Sequence, residues 1–139
     1  MFYRLSRYFH LKGWMAIARL VSTLMRWITH CDIHHGADLG PGVIFPHGTG
    51  VIVGEGVVIG ARCSLFQFTS LGSLERKGGV PTLKEGVNVY PGSVLAGEIT
   101  IGEYCRIGPH VYLTESVPSH TRISPAKPHF SSKDSHVQV

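Results

Sequence analysis

The stretch VGEGVVIGARCSLFQFTSLG (Val53–Gly72) decides the fold. Large aliphatic residues stand six apart at Val53, Ile59, Leu65 and Leu71, and the spacing resumes at Leu83, Val89, Leu95, Ile101, Ile107 and Leu113. The next residue is often glycine (Gly54, Gly60, Gly72, Gly102, Gly108). The fifth of each unit is small or β-branched: Val57, Cys63, Thr69, Val87, Ser93, Ile99, Cys105, Val111 and Val117. A period of six fits neither an amphipathic helix nor a simple alternating strand. It suits short flat strands joined by tight corners, three to a triangular coil of about eighteen residues. The aliphatic and small residues then point inward, and glycine is expected to relieve strain where the backbone turns.

Working outward, Ile33, Leu39 and Phe45 continue the pattern toward the N-terminus, but slip by two residues at Val51-Ile52. A small insertion at one corner accounts for the slip. Between Leu71 and Leu83 the pattern gives way to charge, glycine and proline, so 73–82 is expected to leave the prism as an excursion loop. The fold class expected is mainly β: a parallel β-helix of about five coils over 31–130, with a short N-terminal α-helical segment. Residues 1–30 carry a broad apolar surface with Arg4, Arg7, Lys12, Arg19 and Arg26 between, divisible at Gly13. Such a segment packs on the prism and a neighbouring subunit, or makes peripheral contact with the inner membrane face. The polar stretch 131–139 is expected to be a loose tail.

The composition narrows the function. In 139 residues the net charge is only +4, and Lys and Arg are scattered, which argues against a nucleic-acid partner. Cys31, Cys63 and Cys105 are odd in number and widely spaced, so neither a disulfide framework nor a zinc site is expected. Cys63 and Cys105 fall in the small inward slot and are read as buried thiols. No apolar run has the length of a spanning helix, and a cytoplasmic location is the expectation.

The segments Asp32-Ile33-His34-His35-Gly36-Ala37-Asp38-Leu39-Gly40-Pro41-Gly42 and Phe45-Pro46-His47-Gly48-Thr49-Gly50-Val51-Ile52-Val53-Gly54-Glu55 carry further information. With Phe66-Gln67-Phe68-Thr69-Ser70-Leu71-Gly72 and Thr121-Arg122-Ile123-Ser124-Pro125-Ala126-Lys127, they strongly resemble the serine acetyltransferase family. The resemblance runs from Asp32 to Lys127. It implies a left-handed coil, a hand that periodicity alone does not give and that opposes the usual crossover preference. It also implies a homotrimer with sites between subunits and acetyl-CoA as acyl donor; the cysteine and histidine spacing, independently, leads us to expect no metal.

An acceptor hydroxyl needs a base to take its proton as it attacks a thioester, and imidazole titrates in a useful range. His47 is the candidate base, as the resemblance also implies. Asp32, fifteen residues earlier, is expected one strand below and about three residues along, where a carboxylate orients the imidazole. By resemblance, Gly72, Ser73, Pro91, Gly92 and Pro109 occupy the coil positions that meet CoA, and Lys127 suits its phosphates. His34, Pro46, Gln67 and Arg76 are the candidate acceptor-binding residues. His34 and His35 are not expected to form a metal site, because adjacent strand residues point to opposite faces.

The acceptor is where the match with the family weakens. Pro46 replaces an acidic residue of the family, and Gly79-Val80 stand before Pro81 where the family has Arg-His. A zwitterion needs both charges met, so the expected acceptor is a sugar or polysaccharide precursor rather than free serine. Serine O-acetylation and a non-catalytic trimeric assembly module are the alternatives. A third, an ion-binding trimer, would require well-placed histidines that the spacing of His34, His35 and His47 does not obviously provide.

Overall fold

The computed structural model describes residues 2–75 and 78–126. Two helices, α1 (Phe2–Leu11) and α2 (Met15–Thr29), precede thirteen short strands. The strands form three parallel sheets. The first sheet orders β1 (Asp32–Ile33), β3 (Ile52–Val53), β6 (Ser70–Gly72), β9 (Val94–Ala96) and β12 (Tyr112–Leu113). The second holds β2 (Asp38–Leu39), β4 (Val58–Ile59), β7 (Thr82–Leu83) and β10 (Thr100–Ile101), and the third β5 (Ser64–Leu65), β8 (Asn88–Val89), β11 (Arg106–Ile107) and β13 (Arg122–Ile123). The chain visits the sheets in rotation, so each strand lies on the one a coil earlier, and the first sheet counts the expected five coils.

The inward slots are filled as the spacing predicts. Of the ten large aliphatic positions only Leu113 escapes full burial, and Val57, Cys63, Thr69, Val87, Ser93, Ile99, Cys105, Val111 and Val117 are all buried. The polar members satisfy themselves locally, as burial demands. Thr69 Oγ1 donates to Phe66 O at 2.9 Å and Ser93 Oγ to Gly108 O at 2.7 Å. The Cys63 and Cys105 thiols donate to Lys84 O (3.1 Å) and Pro118 O (3.0 Å), and burial raises the Cys63 pKa above the usual thiol value.

The reason for the periodic glycines differs from expectation. Gly60, Gly102 and Gly108 do not carry positive φ; a Cβ at Gly60 would stand 2.7 Å from the Lys84 carbonyl carbon, and one at Gly102 2.3 Å from Ser119 N. They are there because adjacent coils approach too closely for a side chain. Corner strain is carried elsewhere, for example at Gly92 (φ 71°), over which the His110 ring of the next coil lies.

The coils are unequal. Asp32 pairs with Ile52, a coil of twenty residues, whereas Val94 pairs with Tyr112 at the standard eighteen. Ser70 pairs with Val94 across twenty-four, the excess lying in the segment between β6 and β7. The two extra residues of the first coil fall between the Ile44 bridge to Ser64 and β3, at the corner that holds His47.

Gly13 (φ 76°) divides the helices, and His30 in the left-handed region ends α2, its N–H donating to Arg26 O. Small residues let the helices touch: Ser6 Oγ donates to Ala18 O at 2.9 Å and meets Ser22 Oγ at 2.6 Å. The hairpin sits on the first coil. Met25 enters the prism core, Phe2 and Tyr3 pack against it, and the Tyr3 hydroxyl donates to Ala37 O (2.7 Å) while accepting from Leu39 N (3.2 Å). No helix among the described residues is long and apolar enough to cross a membrane.

Candidate active site

The edge between the third and first sheets gathers half of the twelve candidate residues: Pro46, His47, Gln67, Pro91, Gly92 and Pro109. His47 lies on the widened corner of the first coil; Gln67 follows on the second, Pro91 and Gly92 on the next, and Pro109 above them. Gly92 N donates to Gln67 O at 3.1 Å, tying two of the corners together.

His47 itself is exposed and holds φ 52°, a region a non-glycine residue adopts only where its surroundings impose it. The widened turn imposes it here: Gly48 O accepts from the Cys31 thiol at 2.8 Å, and Gly50 N donates to His30 O at 2.8 Å. Both bonds pin the turn to the chain entering the prism. Beside the ring opens a cleft of about 410 Å³ lined by Phe2, Tyr3, Met25, Ile33, Phe45 and Thr49. Its walls are largely apolar, and the helical hairpin supplies one of them. Pro46 is half-buried next to the ring.

Asp32 is placed differently from the expectation. Because the first coil has twenty residues, Asp32 lies opposite Ile52, five residues beyond His47 rather than three. Among the described residues no hydrogen bond joins them; Asp32 Oδ2 instead faces Arg26 Nη1 of α2 at 3.4 Å. Asp32, Arg26, Arg19, Thr23 and His34 line a second cleft of about 260 Å³ that shares Ile33 with the first. Charges of both signs therefore stand next door to the His47 cleft. Strand reasoning alone missed the two arginines, although Arg19, Ser22, Thr23 and Arg26 recur at helical spacing and so mark one stripe of α2.

The expectation for His34 and His35 also changes. β1 ends at Ile33, so the two residues sit on a corner and their rings come within 4.1 Å of each other, rather than on opposite faces. His34 Nδ1 accepts from Gly36 N at 3.0 Å. No group of three His, Cys, Asp or Glu among the described residues is set to hold a metal ion.

Gln67 is half-buried, and its buried Oε1 has no partner among the described residues. Gly72 ends β6 with nothing among the described residues within 4 Å of a Cβ there, and Ser73 Oγ accepts from Glu75 N at 3.1 Å. Arg76, Lys127 and the tail 131–139 lie outside the described residues.

Comparison with known proteins gives this geometry a context. Residues 81–115 match the family model described as bacterial transferase hexapeptide (six repeats). A serine acetyltransferase of Helicobacter pylori is 34% identical over 134 residues, covering 95% of this chain and 78% of the relative. Among solved structures, a serine acetyltransferase in complex with CoA superposes with TM-score 0.84 at 30% identity, covering 89% of this chain and 52% of that one. The serine acetyltransferase of Neisseria gonorrhoeae in complex with serine gives 0.83 at 30%, covering 91% and 54%. The chain spans 43% and 49% of the length of two further curated serine acetyltransferases it matches.

These relatives overturn the saccharide expectation. The absence of charge at Pro46, Gly79 and Val80 shows what those positions do not grip, but the neighbouring cleft holds Asp32, Arg19 and Arg26, so a zwitterion is not excluded by charge. With its coils, its spacing and its likeness to these proteins, the chain belongs to the serine acetyltransferase family of left-handed, hexapeptide-repeat β-helices.

Proposed function

We propose that this chain transfers an acetyl group from acetyl-CoA to the hydroxyl of serine, with His47 as general base. The observation that carries the reading is the likeness, over about nine-tenths of the chain, to structures described with CoA and with serine. His47 takes the hydroxyl proton as the oxygen attacks the thioester carbonyl; the tetrahedral intermediate collapses, the CoA thiolate leaves, and the imidazolium returns the proton to it. Asp32 steadies the imidazolium once it is free of Arg26.

Acetyl-CoA lies along the edge above His47, against Gln67, Pro91, Gly92 and Pro109, with Gly72 and Ser73 across the first sheet and Lys127 toward its phosphates. Acceptor contacts fall to His34, Pro46, Gln67 and Arg76. The site lies between subunits of a homotrimer. Support for self-association comes from the hairpin, where Leu11, Leu20 and Trp27 are 70%, 69% and 78% exposed, an unusual loss of apolar burial unless a second copy covers them. The same face, with no Asp or Glu in residues 1–31, also suits an anionic bilayer, and sedimentation with and without anionic vesicles separates the two.

The test is direct. Purified chain with serine and acetyl-CoA should release CoA thiol and yield O-acetylserine by mass spectrometry, and His47→Ala should lower kcat/KM by about 10²–10⁴ without moving the melting temperature. No thiol release above background from the wild type refutes the proposal and favours an assembly module, and an undiminished His47→Ala refutes the assigned base.

A further inference from the structure

Three imidazoles meet where α1 lies against the first coil. The His10 ring of α1 stacks on His35 with centroids 4.8 Å apart and planes at 27°, and His34 stands 4.1 Å from His35 on the other side. His35 is only 3% exposed. Among the described residues, the Nδ1 atoms of His10 and His35 are both buried with no hydrogen-bond partner. A neutral ring tolerates this arrangement, since its free nitrogen carries no proton in the matching tautomer. A charged ring does not, because a buried N–H⁺ is left facing no acceptor.

The surrounding charges deepen the penalty. From α1, Arg7 reaches His35 O (3.5 Å) and pairs with Asp38 (3.7 Å); from α2, Arg19 adds a second cation, and Arg26, paired with Asp32 at 3.4 Å, lines the same cleft as His34 and His35; from the following coil, Glu55 opposes the cations. Burial first, then His34 and His10, hold the His35 pKa below the ordinary imidazole value, with Glu55 working the other way.

We propose that the His10–His35–His34 stack is a proton-operated latch, closed while His35 is neutral, that releases α1 from the first coil on acidification. The direction follows from linkage. In the docked state His35 binds its proton more weakly than in the released state, so release takes up a proton and acid favours it. Docking is complete above the ordinary histidine pKa of about 6.5. It weakens as pH falls below that value, until the docked pKa is reached and the effect levels off. Phe2 and Tyr3 of α1 are walls of the His47 cleft, so release opens that cleft on one side.

The latch does not depend on the transferase reading, and its test reads the backbone rather than turnover. The full chain is exposed to deuterium between pH 7.5 and 5.0, with labelling times scaled for intrinsic exchange. A ten-residue helix is not stable alone, so undocking appears as lost protection in residues 2–11. Relative to the amides of β8–β11, α1 protection should fall by about tenfold per pH unit where one proton is taken up on release, and should recover on return to neutral pH. His35→Phe keeps a ring in the stack without a titrating nitrogen, and its α1 protection should change by less than about twofold over the same range. If that variant does not fold, His10→Phe, which removes the neighbouring imidazole and its own buried Nδ1, should retain visibly more α1 protection at pH 5.5 than the wild type. Wild-type α1 protection that stays level from 7.5 to 5.0, or that falls equally in the wild type and the folded variant, overturns the latch.

Discussion

Gly60 and Gly72 hold the same place in the hexapeptide, immediately after an inward aliphatic residue, yet alanine should separate them. A Cβ at Gly60 would stand 2.7 Å from the Lys84 carbonyl carbon and 2.9 Å from Glu85 N, backbone atoms of the next coil that cannot swing away. At Gly72 nothing among the described residues lies within 4 Å. Both substitutions restrict the unfolded chain, a gain of about 0.4–1 kcal/mol. Forcing two rungs apart at Gly60 costs about 1–3 kcal/mol, for a net loss of roughly 0.5–2 kcal/mol. In a chain of this size, 1 kcal/mol moves the melting temperature by about 3–4 °C. Gly60→Ala should therefore melt about 2–7 °C lower, whereas Gly72→Ala should rise by about 1–4 °C. Kinetics should show the reverse order. The open space at Gly72 is where the proposed cofactor surface runs, so Gly72→Ala should raise KM for acetyl-CoA by up to about tenfold with kcat retained, and Gly60→Ala should leave KM alone. Scanning calorimetry and steady-state assays on both variants decide it. Equal losses of stability, or a Gly72→Ala that melts below Gly60→Ala, would refute the argument that coil proximity rather than corner strain selects these glycines.

Leu95, fully buried at mid-prism, should cost about 2–5 kcal/mol on change to alanine, read as a lower denaturant midpoint with an unchanged slope. Cys63, whose thiol is pushed up by burial, should react with a thiol reagent at pH 8 roughly two orders of magnitude more slowly in the native chain than in denaturant; equal rates would mean that the slot is open. Tyr3→Phe removes a donor to Ala37 O and an acceptor for Leu39 N and should destabilise by about 1–3 kcal/mol, with lost exchange protection concentrated in α1.

The prism was legible in the sequence because its period is local. Each of Val53, Ile59, Leu65 and Leu71 announces its slot by spacing alone, and the thiols of Cys63 and Cys105 followed from theirs. The two-residue slip before Val51-Ile52 likewise marked the widened corner, and the motif around His47 named it as the base to consider. What escaped depends on how the hairpin docks. The pairing of Asp32 with Arg26, and the stacking of His10 on His35, bring together residues from elements whose relative placement no spacing encodes. The saccharide expectation failed for a related reason: it weighed the charges absent from one corner and could not see those delivered by α2 to the neighbouring cleft.

A chain of near-identical turns faces a hazard that a globular core does not: slid by one whole turn, most inward residues find an acceptable slot. The unequal coils remove that degeneracy. Shifted up by one rung, the two surplus residues around His47 would land on a corner that has no room for them, and the six surplus residues between β6 and β7 would leave their own place vacant. Misalignment is thus penalised at two separate heights. The bulge that presents the imidazole also works as an indexing notch, so trimming it to restore perfect periodicity would be expected to blur the register of the stack as well as remove the candidate base.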